Sequence, residues 1–280
     1  MSVVCFCSLK DLAAQNIKEH LLQHFPFIDT GKTYDSIPIY KFNELSLVTL
    51  EQDSIYADDL DQQFTADLFI FASRHKSAAF KPALLTHIPG NWGPAELGGK
   101  ASTLCIAHPT ALKVALQTLL AERQRLVLTD WACGLEVTHH GPFINNIPVL
   151  YIEIGSTEKE WQNPIAAEAV SQAVVSVAQR HQEPNPVVFG VGGPHYCPAF
   201  TRLCAETPYA VSHILPKYYL DQVTPALIEH AIERTSTPPT YAALDWKGMK
   251  GPQRDQIIQI LNELGLETKR VRALLHQSEN

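Results

Sequence analysis

Five of the twelve histidines stand where an α/β fold places functional side chains. His75 and His195 come shortly after apolar, β-branched runs, His139 and His140 follow another such run, and His87 precedes a glycine-rich stretch. In open α/β sheets, ligands bind beyond the carboxyl ends of the strands. The spacing therefore predicts that several of these histidines share one site.

The segment 136–142, Glu-Val-Thr-His-His-Gly-Pro, concentrates a carboxylate, two imidazoles and a turn. In an extended strand, Glu136, Thr138 and His140 would point to one side and His139 to the other. A carboxylate and a neutral imidazole on one face can share a divalent metal, or the carboxylate can orient the imidazole as a general base. A strand edge with hydrogen-bonded polar side chains fits the same residues, because an established metal-site spacing such as H-E-x-x-H is absent.

Three glycines in the segment 190–196, Gly-Val-Gly-Gly-Pro-His-Tyr, follow an apolar run. The backbone N–H groups of Gly192 and Gly193 could approach a carboxylate, a phosphate or a developing oxyanion closely. The segment is not a dinucleotide-binding motif, because the third glycine of G-x-G-x-x-G is missing and Pro194 would interrupt the start of a helix. A tight turn that requires positive φ is the alternative interpretation.

Short apolar runs alternate with longer amphipathic patterns, which is typical of an α/β fold with a mostly parallel or mixed sheet. Helices are predicted at Asp11–Phe25, Pro109–Arg123, Ile165–His181, Pro225–Arg234 and Pro252–Leu264. Strands are predicted at Val3–Ser8, Ile37–Phe42, Leu45–Leu50, Asp67–Ser73, Leu135–Thr138, Pro148–Ile154 and Pro186–Val191. No repeat or Gly/Ser-rich linker divides the sequence, so residues 1–280 are predicted to form one domain. The long connection between Ile88 and Ser102 is rich in turn formers, and its Trp92 indicates that it is ordered.

The net charge of -7 is unevenly distributed. Residues 1–70 contain 4 Lys/Arg and 11 Asp/Glu, whereas residues 71–280 contain 18 of each. Basic clusters lie around Arg74, around Lys247 and Lys250, and at Lys269, Arg270 and Arg272. These clusters are either solvated faces or a surface on which a nucleic-acid backbone docks.

The sequence lacks an 18-residue apolar run and a signal-peptide core, which predicts a cytoplasmic protein without a membrane segment. Its six cysteines show neither a C-x-x-C pair nor the density of a disulfide scaffold. Cys5 and Cys7 would share one face of a strand, as a metal pair or as two small core residues. Nothing in the sequence indicates an obligate protein partner.

The motifs together resemble the archaeal and plant type of D-aminoacyl-tRNA deacylase, and the resemblance spans nearly the whole chain. It rests on Ser73–His75, the loop His87–Gly93, the segments 136–142 and 190–196, Glu153–Ser156, His213-Ile214, Lys217-Tyr218 and Asp245–Gly248. The resemblance implies a three-layer α/β/α fold similar to purine nucleoside phosphorylases and peptidyl-tRNA hydrolases. It also implies zinc dependence and hydrolysis of the ester that joins a D-amino acid to the terminal adenosine of tRNA.

Roles for individual residues are hypotheses drawn from the same motifs. His75, His140 and His195 are the predicted zinc ligands, Glu136 the orienting carboxylate or base, and His139 the proton carrier. A zinc site can lower the pKa of a bound water to about 7, and the N–H groups of the glycine turn could stabilise an oxyanion. Acid–base catalysis by the histidines without metal fits the same positions.

Docking of tRNA is predicted at the basic clusters, through Arg74, Lys247, Lys250, Lys269, Arg270 and Arg272. Two other functions remain open on the sequence alone. One is a hydrolase or phosphorylase that acts on a nucleoside or a peptide, since a fold does not fix a chemistry. The other is a tRNA-binding module without activity, whose histidines are structural.

Overall fold

The computed structural model describes residues 2–277. The strands in this range are β1 (Val3–Ser8), β2 (Ile28–Tyr34), β3 (Ile37–Phe42), β4 (Leu45–Leu50), β5 (Leu68–Lys76), β6 (Ala83–His87), β7 (Gly90–Asn91), β8 (Thr103–Leu104), β9 (Ala132–Leu135), β10 (Val149–Ser156), β11 (Val187–Val191), β12 (Ala210–Leu215), β13 (Tyr241–Leu244) and β14 (Thr268–Arg270). The helices are α1 (Leu12–His24), α2 (Pro109–Arg125), α3 (Glu158–Trp161), α4 (Pro164–Arg180), α5 (Pro198–Glu206), α6 (Pro225–Glu233), α7 (Gly251–Glu263) and α8 (Val271–Gln277). The alternation of strands and helices confirms the predicted α/β class.

Eight strands form a large mixed sheet in the order β2-β3-β4-β1-β5-β10-β6-β9. Strands β4, β1, β5 and β10 are parallel, whereas β6 runs antiparallel to β10. Strand β9 is parallel to β6. The carboxyl ends of β6 and β9 therefore lie at the opposite end of the sheet from those of β5 and β10.

The two faces of the large sheet are covered differently. Ile70 and Ala72 of β5 pack on the side that carries α1, α2 and α4. Phe69 and Phe71, at the alternate positions, face a second apolar cluster that contains Ala57, Leu60, Ile144 and Ile147. These four residues belong to loops and short 3₁₀ turns, so loops take the place of an outer helical layer on this face.

A second sheet, which the sequence pattern did not predict, has the order β12-β11-β13-β14 with all strands parallel. Apolar residues of α5 and α8 share one core cluster with this sheet, and those of α6 and α7 share another. The predicted α/β/α layering therefore describes the smaller sheet. Helix α2 contacts both β6 of the large sheet and β12 of the small one, while the assignment of residues 1–280 to one domain stays a prediction.

The predicted strand at Leu135–Thr138 is wrong, because β9 ends at Leu135 and the chain then leaves the sheet. The long connection that contains Trp92 is ordered as predicted, since the indole is buried and donates a hydrogen bond to the carbonyl oxygen of Ile214. Cys5 and Cys7 lie buried in the main core. Within residues 2–277, no helix is long and apolar enough to cross a membrane.

Candidate active site

The candidate site lies on the loop-covered face of the large sheet, across β5, β10 and β6. The register pairs Phe71 with Tyr151 and Tyr151 with His87, and the aromatic rings of these three residues stack. Two residues further along, Ser73 pairs with Glu153, and His75 pairs with Gly155 after that. Because side chains alternate between faces, Glu153, His75 and His87 project from the same side.

His87 enters this site from the opposite direction to His75, because β6 is antiparallel to β10. This corrects the expectation that the histidines meet beyond the carboxyl ends of parallel strands. The shared site exists, but it lies along the face of the sheet.

The segment after β9 runs between the two sheets and is fixed to both. The backbone N–H of Glu136 donates to Thr86 O at 3.2 Å, and that of Val137 donates to His195 O at 3.0 Å. The N–H of Thr138 donates to Ile214 O at 3.2 Å. These bonds bring Glu136 and His139 to His195, which belongs to the loop after β11.

The segment does not keep the side-chain alternation of a strand, since His140 has a φ of 47°. Glu136 and His139 therefore fall in one group with His195, although alternation put them on opposite faces. His140 falls instead in a group with His87 and His139.

Glu136 is the centre of the ionisable residues. Its Oε1 lies 2.8 Å from His195 Nε2 and 3.4 Å from His75 Nδ1. Glu153 Oε2 lies 3.7 Å from His75 Nδ1 and 3.8 Å from His87 Nε2. Both carboxylates are buried.

The rings of His87, His139 and His140 form a compact cluster, with centroids 4.2 to 4.7 Å apart. His139 Nδ1 lies 2.8 Å from Val137 O and His140 Nδ1 lies 2.6 Å from Gly141 O. A carbonyl oxygen can only accept, so both Nδ1 atoms donate. In the neutral rings, the Nε2 lone pairs are then free to bind a metal or accept a proton.

Burial keeps these three imidazoles neutral. It lowers the pKa of His87 to about 4 and that of His140 to about 3, and it places the pKa of His139 well below its ordinary value. The neighbouring imidazoles reinforce each shift, because a second positive charge in the cluster would be repelled.

The two buried carboxyl groups have opposite pKa shifts. Burial raises the pKa of Glu136, but His195, His75 and His87 outweigh this and hold it below its ordinary value. Burial and the nearby charge of Glu136 raise the pKa of Glu153 well above its ordinary value. Burial lowers the pKa of His195, but the hydrogen bond and charge of Glu136 overcome it and raise the pKa.

The donor atoms fit a metal such as zinc, which is bound by neutral imidazoles and carboxylates. Three groups have ligand atoms within 4.8 Å of one another: His87 with His139 and His140, Glu136 with His139 and His195, and His75 with Glu136 and Glu153. Both ring nitrogens of His87 are buried without a hydrogen-bond partner. Unpartnered buried polar atoms of this kind are costly unless a ligand or ion satisfies them.

The three histidines predicted as zinc ligands are not brought into a single group. His75, His140 and His195 each belong to a different one of the three. His87 and Glu153 were missed as ligand candidates, although a carboxylate at position 153 within an otherwise apolar run was a usable signal.

The glycine turn packs against the loop after β13. Gly192 has a φ of 97° and Gly193 a φ of 85°, and a Cβ at Gly192 would lie 2.9 Å from Met249 Cγ. The N–H of Gly192 already donates to Leu215 O at 2.8 Å. The geometry therefore supports the tight-turn interpretation for Gly192 and does not support its role as an oxyanion donor.

Four of the six predicted tRNA-binding residues line one of two cavities, and the other two line neither. Arg74 lines the histidine site and is held by Asp53, with Nη2 3.0 Å from Oδ1. Lys247, Arg270 and Arg272 line a cavity of about 590 Å³ at the carboxyl edge of the small sheet, together with Trp246. Lys250 is exposed at the start of α7, and the ammonium of Lys269 lies 3.5 Å from the ring centroid of Tyr241.

Two cavities adjoin the histidine cluster. One, of about 360 Å³, includes Asp11, Asp53, Arg74 and Glu153 in its lining, and the other, of about 180 Å³, includes Trp92, Asn91, Tyr218 and Tyr219. Both are bounded by His139, His140 and His195. On this α/β fold, an imidazole–carboxylate cluster between two cavities is typical of the active site of an enzyme.

The family model described as D-aminoacyl-tRNA deacylase matches residues 62–269. A D-aminoacyl-tRNA deacylase of Thermococcus onnurineus is 40% identical over 264 residues, which cover 92% of this chain and 95% of the relative. One of Methanosarcina acetivorans is 37% identical over 278 residues, covering 95% and 91%. The chain therefore belongs to the D-aminoacyl-tRNA deacylase family.

The fold is similar to a crystal structure described as a conserved protein of unknown function. The two chains are 28% identical, with a TM-score of 0.90 over 98% of this chain and 97% of the other. The similarity to purine nucleoside phosphorylases and peptidyl-tRNA hydrolases stays a prediction.

Proposed function

We propose that this chain hydrolyses the ester bond between a D-amino acid and the terminal adenosine of tRNA, releasing free D-amino acid and tRNA. Family membership over residues 62–269 supports the substrate class. The observation that carries the proposal on the structure is the buried imidazole–carboxylate cluster, with two cavities that meet at the same three histidines. An ester that joins an amino acid to an adenosine suits such a site, because each of the two groups could occupy one cavity.

The proposed zinc ligands are His87, His139 and His140. Their ligand atoms lie within 4.8 Å of one another, and burial keeps all three rings in the neutral form that binds metal. The bonds from Nδ1 to backbone carbonyls orient His139 and His140, as outer-shell partners do in known zinc sites. Zinc held there would act as a Lewis acid on the ester carbonyl.

Glu136 and His195 form the proposed proton-transfer pair. His195 Nε2 holds a proton against Glu136 Oε1 at 2.8 Å, and Tyr218 Oη lies 3.4 Å from the other ring nitrogen. His195 is partly exposed, whereas Glu136 is buried, so the imidazole is the member that can reach a substrate or a water molecule. We assign proton transfer to His195 through Nδ1, the ring nitrogen that does not face Glu136, rather than to His139, whose Nε2 belongs to the proposed zinc site.

The basic cavity beside the small sheet is the proposed docking surface for the tRNA backbone. Its lining includes Arg202, Lys247, Arg270 and Arg272 with one carboxylate, Asp245. It lies beyond the ends of β13 and β14, and the loop after the neighbouring strand β11 carries His195. Phosphate groups docked at this edge would lead the RNA strand toward the histidine cluster.

The deciding experiment compares deacylation of D-tyrosyl-tRNA and L-tyrosyl-tRNA by the purified protein, with and without a chelator. We expect hydrolysis of the D-form alone, loss of activity with chelator, and recovery on adding zinc. Equal rates on both enantiomers, or none on either, contradict the substrate assignment. Full activity in a protein free of transition metal contradicts the zinc site and leaves the histidines as acid–base groups.

A further inference from the structure

The two cavities at the histidine cluster have different chemical linings. The wall of the cavity of about 360 Å³ carries charged groups of both signs, which are Asp11, Asp53, Glu153, Arg74 and Lys76. The wall of the cavity of about 180 Å³ contains the aromatic side chains of Trp92, Tyr218 and Tyr219, with Asn91 and one carboxylate, Glu96. Its volume is below the roughly 300–1,000 Å³ of pockets that hold drug-sized ligands, so it suits a single ring system.

Two of the aromatic side chains in the smaller cavity are fixed by the fold. Trp92 is 3% exposed and bonded to Ile214 O. Tyr219 packs against the backbone of Gly93, where a Cβ would lie 2.7 Å from its ring. Trp92 and Tyr219 therefore form a well-packed part of the wall of the smaller cavity.

Tyr218 differs from both, because it is 47% exposed and stands at the mouth of the cavity. Its ring centroid is 5.3 Å from that of Tyr219, at an interplanar angle of 52°. Proteins that bind single-stranded RNA stack its bases on exposed aromatic rings of this kind. The hydroxyl of Tyr218 also reaches His195 Nδ1, so a base on this ring would lie beside the proposed proton-transfer pair.

We infer that the smaller cavity is the subsite for the adenine base of the terminal nucleotide, with Tyr218 as its stacking platform. The inference rests on the proposed function and adds the orientation of the substrate. The ester then lies against His139, His140 and His195, and the amino acid enters the larger cavity.

The path of the RNA over the small sheet favours this orientation over the reverse. The small sheet supplies this path. Its carboxyl edge carries, in order of the strands, Arg270 at the end of β14, Trp246 after β13, His195 after β11 and Tyr218 after β12. The strand would pass from the basic cavity over His195 and end on Tyr218.

The first test is kinetic and uses Tyr218→Ala, Tyr218→Phe and the control Phe80→Ala on D-tyrosyl-tRNA. Phe80 is an exposed aromatic residue outside both cavities. Loss of stacking should raise the KM of Tyr218→Ala about five-fold to a hundred-fold, the range that corresponds to the usual stacking contribution of a base. Tyr218→Phe keeps the ring and should keep the wild-type KM, as should Phe80→Ala. An unchanged KM in Tyr218→Ala, or an equal KM defect in Tyr218→Phe, overturns the stacking role.

The second test does not depend on deacylation and measures binding of AMP and UMP by calorimetry. We expect wild type and Tyr218→Phe to bind AMP more tightly than UMP, and Tyr218→Ala to lose most of the AMP affinity. Equal AMP affinity in wild type and Tyr218→Ala overturns the subsite. If wild type binds AMP in this way but leaves D-tyrosyl-tRNA intact, the proposed substrate fails while the adenine subsite stands.

Discussion

At the scale of single residues, the site is organised around two buried carboxyl groups with different protonation. Glu136 lies among imidazoles that stabilise its charge, whereas Glu153 faces the charge of Glu136 in a buried position. Environments that separate two carboxyl groups in this way mark acid–base assignments in enzymes. Glu136 is therefore the ionised partner of His195.

The variants Glu136→Gln and His87→Gln test separately the proposed role of Glu136 in proton transfer and that of the imidazoles in zinc binding. Glu136→Gln should keep bound zinc but lower the rate of deacylation by roughly 10²–10⁴-fold, the usual size of a general acid–base contribution. His87→Gln should lose zinc and activity together, because it removes one of three imidazole ligands. Elemental analysis beside single-turnover kinetics distinguishes the two. Loss of zinc from a folded Glu136→Gln protein would make this carboxylate a ligand instead.

At the scale of elements, closely packed loops replace helices over the site. A Cβ at Gly98 would lie 1.8 Å from Ile55 O, and one at Gly141 would lie 2.3 Å from Gly99 N, so both contacts require glycine. Carboxylates then fasten the loops to each other, as Asp58 accepts the N–H of Phe143 at 2.6 Å. The acidic N-terminal region is thus used partly to fix the loop layer that encloses the histidines.

Helix α2, which contacts both sheets, begins with an uncommon cap. His108 Nδ1 accepts the N–H of Ala111 at 3.3 Å, and Pro109 occupies the first turn. Burial, reinforced by His181, lowers the pKa of His108 to about 4. The cap requires the neutral ring, since a protonated Nδ1 can only donate.

Protonation of His108 should therefore destabilise the fold at acid pH. The folded pKa is below the unfolded value of about 6.5, so the contribution is complete above pH 6.5 and is lost as the pH falls toward 4. His108→Asn keeps a helix cap that does not titrate. Between pH 6.5 and 4 it should reduce the pH dependence of the free energy of unfolding by up to about 1.4 kcal/mol per pH unit. Urea unfolding from pH 7 to 4 measures the effect, with the exposed His24→Asn as control. Parallel curves for His108→Asn and wild type would contradict it.

At the scale of the whole molecule, the site forms where the two sheets meet. The large sheet supplies His75, His87 and Glu153, and the loop after β11 of the small sheet supplies His195. Thr138 joins the two, because its Oγ1 accepts the N–H of Ile214 and lies 3.2 Å from His213 Nδ1. The same small sheet carries the basic cavity, so one unit holds both the proposed RNA surface and the imidazole proposed for proton transfer.

Docking of tRNA at this surface should depend strongly on salt. We expect affinity to fall by orders of magnitude between about 50 and 200 mM salt, as several phosphate contacts require. Lys247→Glu and Arg272→Glu should each weaken binding and lower the slope of log K against log salt by about 1 or more. Lys32→Glu, on edge strand β2 of the large sheet, makes the same charge change and should leave both unchanged. A flat salt dependence in wild type would exclude the proposed surface.

The amino-acid sequence alone was enough to predict the α/β class, the longer helices and several strands of the large sheet. Period-2 and period-3.6 patterns fix which residues of a segment can be buried, and they predicted β1, β3 and β4 with their observed bounds. Motif order across the chain sufficed for the family. These properties depend on the pattern within short segments or on the order of motifs along the chain, so they can be predicted from the sequence.

The grouping of the site residues was decided only by the tertiary structure. His75, His140 and His195 fall in separate groups because β6 runs antiparallel to β10 and because the chain leaves the sheet after Leu135. Gly192 became a packing residue because the loop after β13 lies against it. Strand direction, the second sheet and the contacts of loops depend on residues far apart in sequence, and periodicity within one segment carries no information about them.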